Sequence, residues 1–153
     1  MISQERINRL LFSSIAGSDY FSSLEDERDQ SNCHGTSFYL LGIYDNQRPV
    51  YLNAGKAKAF IDTFFDDADS IENNLVAFWS GDYQLMHTAV GINKTEVIDQ
   101  SGVGQSFTQR SFEEVKNDYP YTFSFHSLKE PVSLPVVKNT LRKKGVLDVL
   151  LGR

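Results

Sequence analysis

Leu75-Val76-Ala77-Phe78-Trp79, Leu85-Met86-His87-Thr88-Ala89-Val90-Gly91-Ile92 and Glu96-Val97-Ile98-Asp99-Gln100 follow one another closely. Each run is short, apolar or alternating, and rich in β-branched and aromatic residues, as strands are. The separators Ser80-Gly81-Asp82 and Asn93-Lys94 are turn formers. The stretch therefore predicts consecutive antiparallel strands, with the His87 and Asp99 strands paired as a hairpin.

Upstream the signals are helical. Ile7, Leu10, Leu11 and Ile15 recur at helical spacing and predict an amphipathic helix over 4–16. A polar loop follows, from Ser22 to Asn32. Phe38 to Tyr44 is apolar on all sides, which suits a buried helix or a buried strand. Helix is favoured because Asn32 can cap it and Gly35 sits near its start. Ala54 to Phe65 reads as a further helix and Asp66 to Asn74 as a loop.

Downstream, Gly102 and Gly104 mark a loop, and Ser111 with Glu114 has the spacing of a capping box for a short helix through Lys116. Tyr121 to Leu128 alternates like a strand, and Pro135 to Leu151 reads as a terminal helix weakened by Gly145. No repeat or linker divides the chain, so residues 1–153 are expected to form a single domain. Helices first and a small antiparallel sheet afterwards give an α+β fold.

Composition narrows the function. The chain is 41% hydrophobic and 23% charged, with a formal net charge of -5. That acidic balance argues against a nucleic-acid binder, which needs a basic face. Lys138, Arg142, Lys143 and Lys144 form a local basic patch, for which a solvated helix face is the favoured reading. No apolar run is long enough to span a bilayer, so no membrane partner is expected. The single cysteine excludes an intrachain disulfide, and the N-terminal residues lack a secretory pattern. The expected location is the cytoplasm, or outside the cell by a route without a cleaved signal. One cysteine and three scattered histidines lack the paired spacing of a zinc site, and Gly102-Val103-Gly104 lacks the lysine of a phosphate loop. No metal or other cofactor is expected.

The chemistry-bearing residues come in a definite order. Cys33, within Asn32-Cys33-His34-Gly35, stands at the start of the apolar helix. Free N–H groups there favour the thiolate, the nucleophile of acyl transfer, and the Cys33 N–H can face a developing oxyanion. His87 is set on a strand with Ala89 and Gly91 on the same face, which leaves room beside an imidazole that serves as base. Asp99 on the next strand can orient that imidazole, with Gln100 the alternative. Each residue taken singly also has a plain structural account: a buried thiol, a hydrogen-bonded core histidine, an exposed carboxylate near a turn.

The ordered set resembles the NlpC/P60 and CHAP branch of papain-like cysteine peptidases and amidases. That family has an Asp/Asn-Cys-Ser-Gly stretch at the start of its central helix, here Asn32-Cys33-His34-Gly35. It has a His-Val-Gly-Ile strand, here His87-Thr88-Ala89-Val90-Gly91-Ile92, and a polar residue on the following strand, here Asp99. Its preceding Asp-Leu-Val-Phe-Phe strand is similar to Asn74-Leu75-Val76-Ala77-Phe78-Trp79. The resemblance covers roughly residues 20 to 100 and implies a papain-like fold with the nucleophile at a buried helix start, packed on the sheet. It implies that Tyr20, at a matching distance before the cysteine, lines the site and supplies an oxyanion donor; packing alone would also account for that tyrosine. His34 departs from the family's small residue and is placed as a substrate contact, as is Gln100. The segment Gln47 to Asn74 is an insertion. No cell-wall-binding module is recognisable, and His126 is expected to be structural. The implied activity is hydrolysis of an amide bond in a peptide, a protein or a peptidoglycan stem peptide. Glutamine deamidation, acyl transfer and a non-catalytic adaptor role are the alternatives.

Overall fold

The computed structural model describes residues 2–15, 31–43, 49, 51–102 and 107–129. The expected terminal helix, the basic patch and Tyr20 lie outside them. The first helix, α1 (Gln4–Ile15), buries Ile7 and Leu10 on one face. The second, α2 (Cys33–Leu40), is buried along all its residues. Asn32 starts it. Its side-chain oxygen accepts from the Gly35 N–H (3.0 Å) and from the Leu52 N–H (3.0 Å). Its amide also donates to the Leu52 carbonyl (2.8 Å), so one side chain caps α2 and clamps a second segment to it.

The helix stops earlier than Tyr44. Gly42 takes φ 75°, open to glycine at little cost. Its N–H bonds to the Tyr39 carbonyl (3.0 Å) and the Ile43 N–H to Phe38 (3.1 Å), the paired closure of a Schellman cap. Next, α3 (Ala54–Phe64) is capped by Asn53 and turns Ala57, Phe60 and Ile61 inward.

A second correction follows directly. Phe65–Ala68 is a strand, β1, and not part of a loop. The others are β2 (Leu75–Trp79), β3 (Leu85–Gly91), β4 (Glu96–Gln100), β5 (Phe107–Ser111) and β6 (Thr122–Leu128). A short helix, α4 (Phe112–Asp118), lies between β5 and β6, with Ser111 accepting from the Glu114 N–H as the capping box requires. The six strands form one antiparallel sheet in the order β1-β6-β2-β3-β4-β5, larger than the small sheet expected.

Alternation divides the sheet into two buried faces. Leu75, Ala77, Leu85, Val90, Ile98 and Phe107 meet residues of α1, α2 and α3. Val76, Phe78, Ala89 and Val97 meet Ile71 and Val115, with Phe112, Tyr119 and Phe125 packed against them. Gly91 permits one close crossing: a Cβ there would lie 1.8 Å from the Ile71 carbonyl oxygen. Among the described residues, no helix is long and apolar enough to cross a membrane.

Candidate active site

Strands β3 and β4 pair only at Val90↔Ile98 and Gly91↔Val97. Beyond Val90 the ladder ends, and this end, between His87 on β3 and Gln100 on β4, is the mouth of the pair. Direction along β3 identifies what faces the opening. The Gly91 N–H bonds to Asn74, on the β2 side. N–H groups alternate along a strand, so the Thr88 N–H points the other way, toward β4. That N–H is close enough to the Cys33 thiol to favour its thiolate. The thiol, at the first residue of α2, therefore lies near Thr88 on the side of β3 that faces β4.

Around this mouth the polar residues sort by face. Thr88 faces α2, where its hydroxyl meets His34 Nδ1 (3.0 Å) and the Ser37 hydroxyl (3.1 Å). Gln100 faces the same way. Its Oε1 accepts from Ser31 and Thr36 (2.8 Å each), tying the start of α2 to β4. His87 and Asp99 face away from α2. His87 Nε2 lies 2.8 Å from Asp99 Oδ2. Of the two candidate orienting residues, Asp99 is thus the one bonded to the imidazole.

Two further residues join them that sequence reasoning missed. Arg110, on β5, donates from Nη2 to Asp99 Oδ2 (2.7 Å) and from Nε to Oδ1 (3.1 Å), and Thr108 adds a bond to Oδ1 (3.0 Å). Arg110 also bonds Asp118. Tyr119 stacks on the His87 ring, with centroids 3.8 Å apart and planes 5° apart, and its hydroxyl donates to the Ser101 carbonyl. Neither carried a signal: Arg110 lies on a strand that the polar sequence Thr108-Gln109-Arg110 hid, and Tyr119 follows a short helix.

Charge in the site follows from burial and these bonds. Burial pushes the Cys33 thiol up to about 11, although the N–H groups of Thr88 and His34 favour the thiolate. The helix start acts in the expected sense, but desolvation outweighs it. Burial, with the repulsion of His87 second, brings His34 down to about 3, so its imidazole is neutral. His34 is 4% exposed and meets Thr88, not an open surface. Burial would raise Asp99, but hydrogen bonds from His87 and Arg110 win and hold its carboxyl below the ordinary range. Burial, then the charge of Asp99, raises Tyr119.

The described part of the site is closed: Cys33 is 9% exposed and His87 1%. His126 lies apart, its Nε2 2.7 Å from the Ser124 hydroxyl. No cluster of His, Cys, Asp or Glu among the described residues has the arrangement of a metal site. In comparison with known proteins, no family model, curated protein or solved structure matches the chain.

Proposed function

We propose that the chain is a papain-like cysteine hydrolase of amide bonds, with Cys33 as nucleophile, His87 as base and Asp99 as the residue that orients it. The observation that carries this reading is the closeness of the thiol to the Thr88 peptide and to the charge of Asp99, which is itself bonded to His87; among the described residues no hydrogen bond joins Cys33 to His87. Asp99 accepts the Nε2 proton, which leaves Nδ1 to take the proton of the Cys33 thiol. Because the resting thiol is raised, proton removal accompanies attack and no standing thiolate is needed. Sulfur bonds to the substrate carbonyl carbon, and the tetrahedral oxyanion meets the N–H groups at the start of α2. Tyr20 would add a donor by the family resemblance. The C–N bond breaks as His87 returns its proton to the amine, and water then releases the acyl group. Substrates of this chemistry are peptides, proteins or peptidoglycan stem peptides. No cofactor enters the scheme.

One observation favours a second reading. A buried thiol raised to about 11 also suits a non-catalytic adaptor with a polar core. Amide hydrolysis separates the two, assayed on stem peptides and on a panel of glutamine-containing proteins. Under the first reading Cys33→Ser and His87→Ala each abolish turnover, and the double variant is little worse. A folded Cys33→Ser protein that keeps most of its activity would exclude Cys33 as nucleophile.

A further inference from the structure

Exposed apolar surface gathers at one end of the sheet. Among the described residues, the large hydrophobic side chains standing exposed are Tyr83, Met86, Tyr121 and Phe123. All of them flank the β2–β3 turn or the start of β6. Between that end and α3 runs a groove of about 610 Å³, lined by Trp79, Tyr83 and Phe123 and, from α3, by Lys58 and Asp62. Its volume lies in the range that holds small ligands or side chains.

Among the described residues, the backbone also lacks a strand partner on one side here. Strand β1 covers β6 only from Leu128 to Phe125, where Ala68 is the last partner. Thr122 to Ser124, which line the groove, continue beyond it. The Gly91 N–H faces β2 from β3, so Asn74 and its alternates in β2 face β3, and Leu75, Ala77 and Trp79 face β6. Their partners are His126, Ser124 and Thr122. Phe123 alternates with these, so its N–H and carbonyl point to the side that β1 has left. Among the described residues no strand pairs with Phe123 on that side, and such an edge position can accept another extended chain.

The side chains add recognition. The Trp79 ring is fixed by its N–H, which donates to the Ser124 hydroxyl (2.7 Å). Tyr83 holds φ 60° while 79% exposed. That backbone region favours glycine and penalises a bulky residue, and exposure returns nothing in packing. Strain kept at an exposed aromatic beside a groove points to use in contact. Lys58 and Asp62 make no ion pair among the described residues, so the groove offers a cation and an anion.

We propose that this groove binds an extended peptide with a bulky apolar side chain, which adds to β6 at Phe123 and sets that side chain against Trp79 and Tyr83. Strand addition supplies backbone bonds and the aromatic wall supplies selectivity. A saccharide would use the aromatic faces but leave the open Phe123 backbone pair unexplained.

Trp79 is the only tryptophan, so its fluorescence reports on this groove alone. The probe is acetyl-Ala-Ala-Phe-Ala-Ala-amide, titrated against the full chain. A saturable emission shift is expected, about tenfold weaker with alanine at the centre and also about tenfold weaker with a backbone N-methyl group on the central residue. Tyr83→Gly should weaken binding by a similar factor while the melting temperature stays or rises, because glycine relieves the strain. Absence of a shift up to millimolar peptide overturns the proposal. So does equal binding by the N-methylated peptide, unchanged binding by Tyr83→Gly, a shift with cellotriose in place of the peptide, or a shift that tracks self-association of the chain. The readout needs no turnover, so this proposal and the hydrolase reading fail separately.

Discussion

Asp99 receives bonds from His87, Arg110 and Thr108 while fully buried. A buried carboxylate stripped of its cation is far costlier than the pair replaced together. Arg110→Met should therefore lower stability by about 2–4 kcal/mol, and adding Asp99→Asn should restore part of it. Urea denaturation of the four proteins gives the coupling; strict additivity would contradict it. The two perturbed groups near Thr88 act at opposite ends of the pH scale. Cys33 is raised to about 11 from 9.0, so the unfolded chain loses its proton first. Its contribution is complete below pH 9 and disappears as pH rises toward 11, about 2–3 kcal/mol in all. Cys33→Ser should flatten that alkaline slope. His34 is lowered to about 3 from 6.5, so the unfolded chain gains a proton first. Its contribution is complete above 6.5 and is lost as pH falls toward 3. His34→Gln should keep more of its stability at pH 4, seen as a smaller drop in melting temperature.

At the scale of elements, α2 depends on the side chain that begins it. Asn32 caps Gly35 and also holds both backbone groups of Leu52. Asn32→Ala should cost about 2–3 kcal/mol, more than a cap alone, because buried groups lose partners. A urea midpoint within error of wild type would contradict this. The elements also show what could be read in the sequence. Strands β2, β3 and β4 announce themselves because both faces are buried and the residues are apolar. Strands β1 and β5 are the sheet edges, with Asp66, Asp67 and Gln109 exposed, so neither carries a strand-like apolar pattern. The partner of β1 lies far along the chain in β6, which no local pattern can signal. The site divides the same way. Cys33, His87 and Asp99 were legible as types in order on neighbouring elements. Arg110 and Tyr119 join them only through the β4–β5 pairing and the position of α4 against the second face.

Across the whole molecule, the sheet separates two buried layers, and the polar residues of interest occur in both. Thr88 and Gln100 join the layer of α2, while His87 and Asp99 belong to the layer of Tyr119. The β3–β4 ladder ends at Val90 and Ile98, and the Cys33 thiol lies near Thr88 just beyond that end. Whether that thiol is a nucleophile or filler is a question about its response to His87. The most direct measurement is the rate of iodoacetamide modification of Cys33 in the folded protein, followed by mass spectrometry from pH 6 to 11. A His87-assisted thiol reacts at pH 7, and His87→Ala slows it by about a hundredfold. A rate that rises only as the thiol titrates toward about 11, equal in wild type and His87→Ala, would contradict the account.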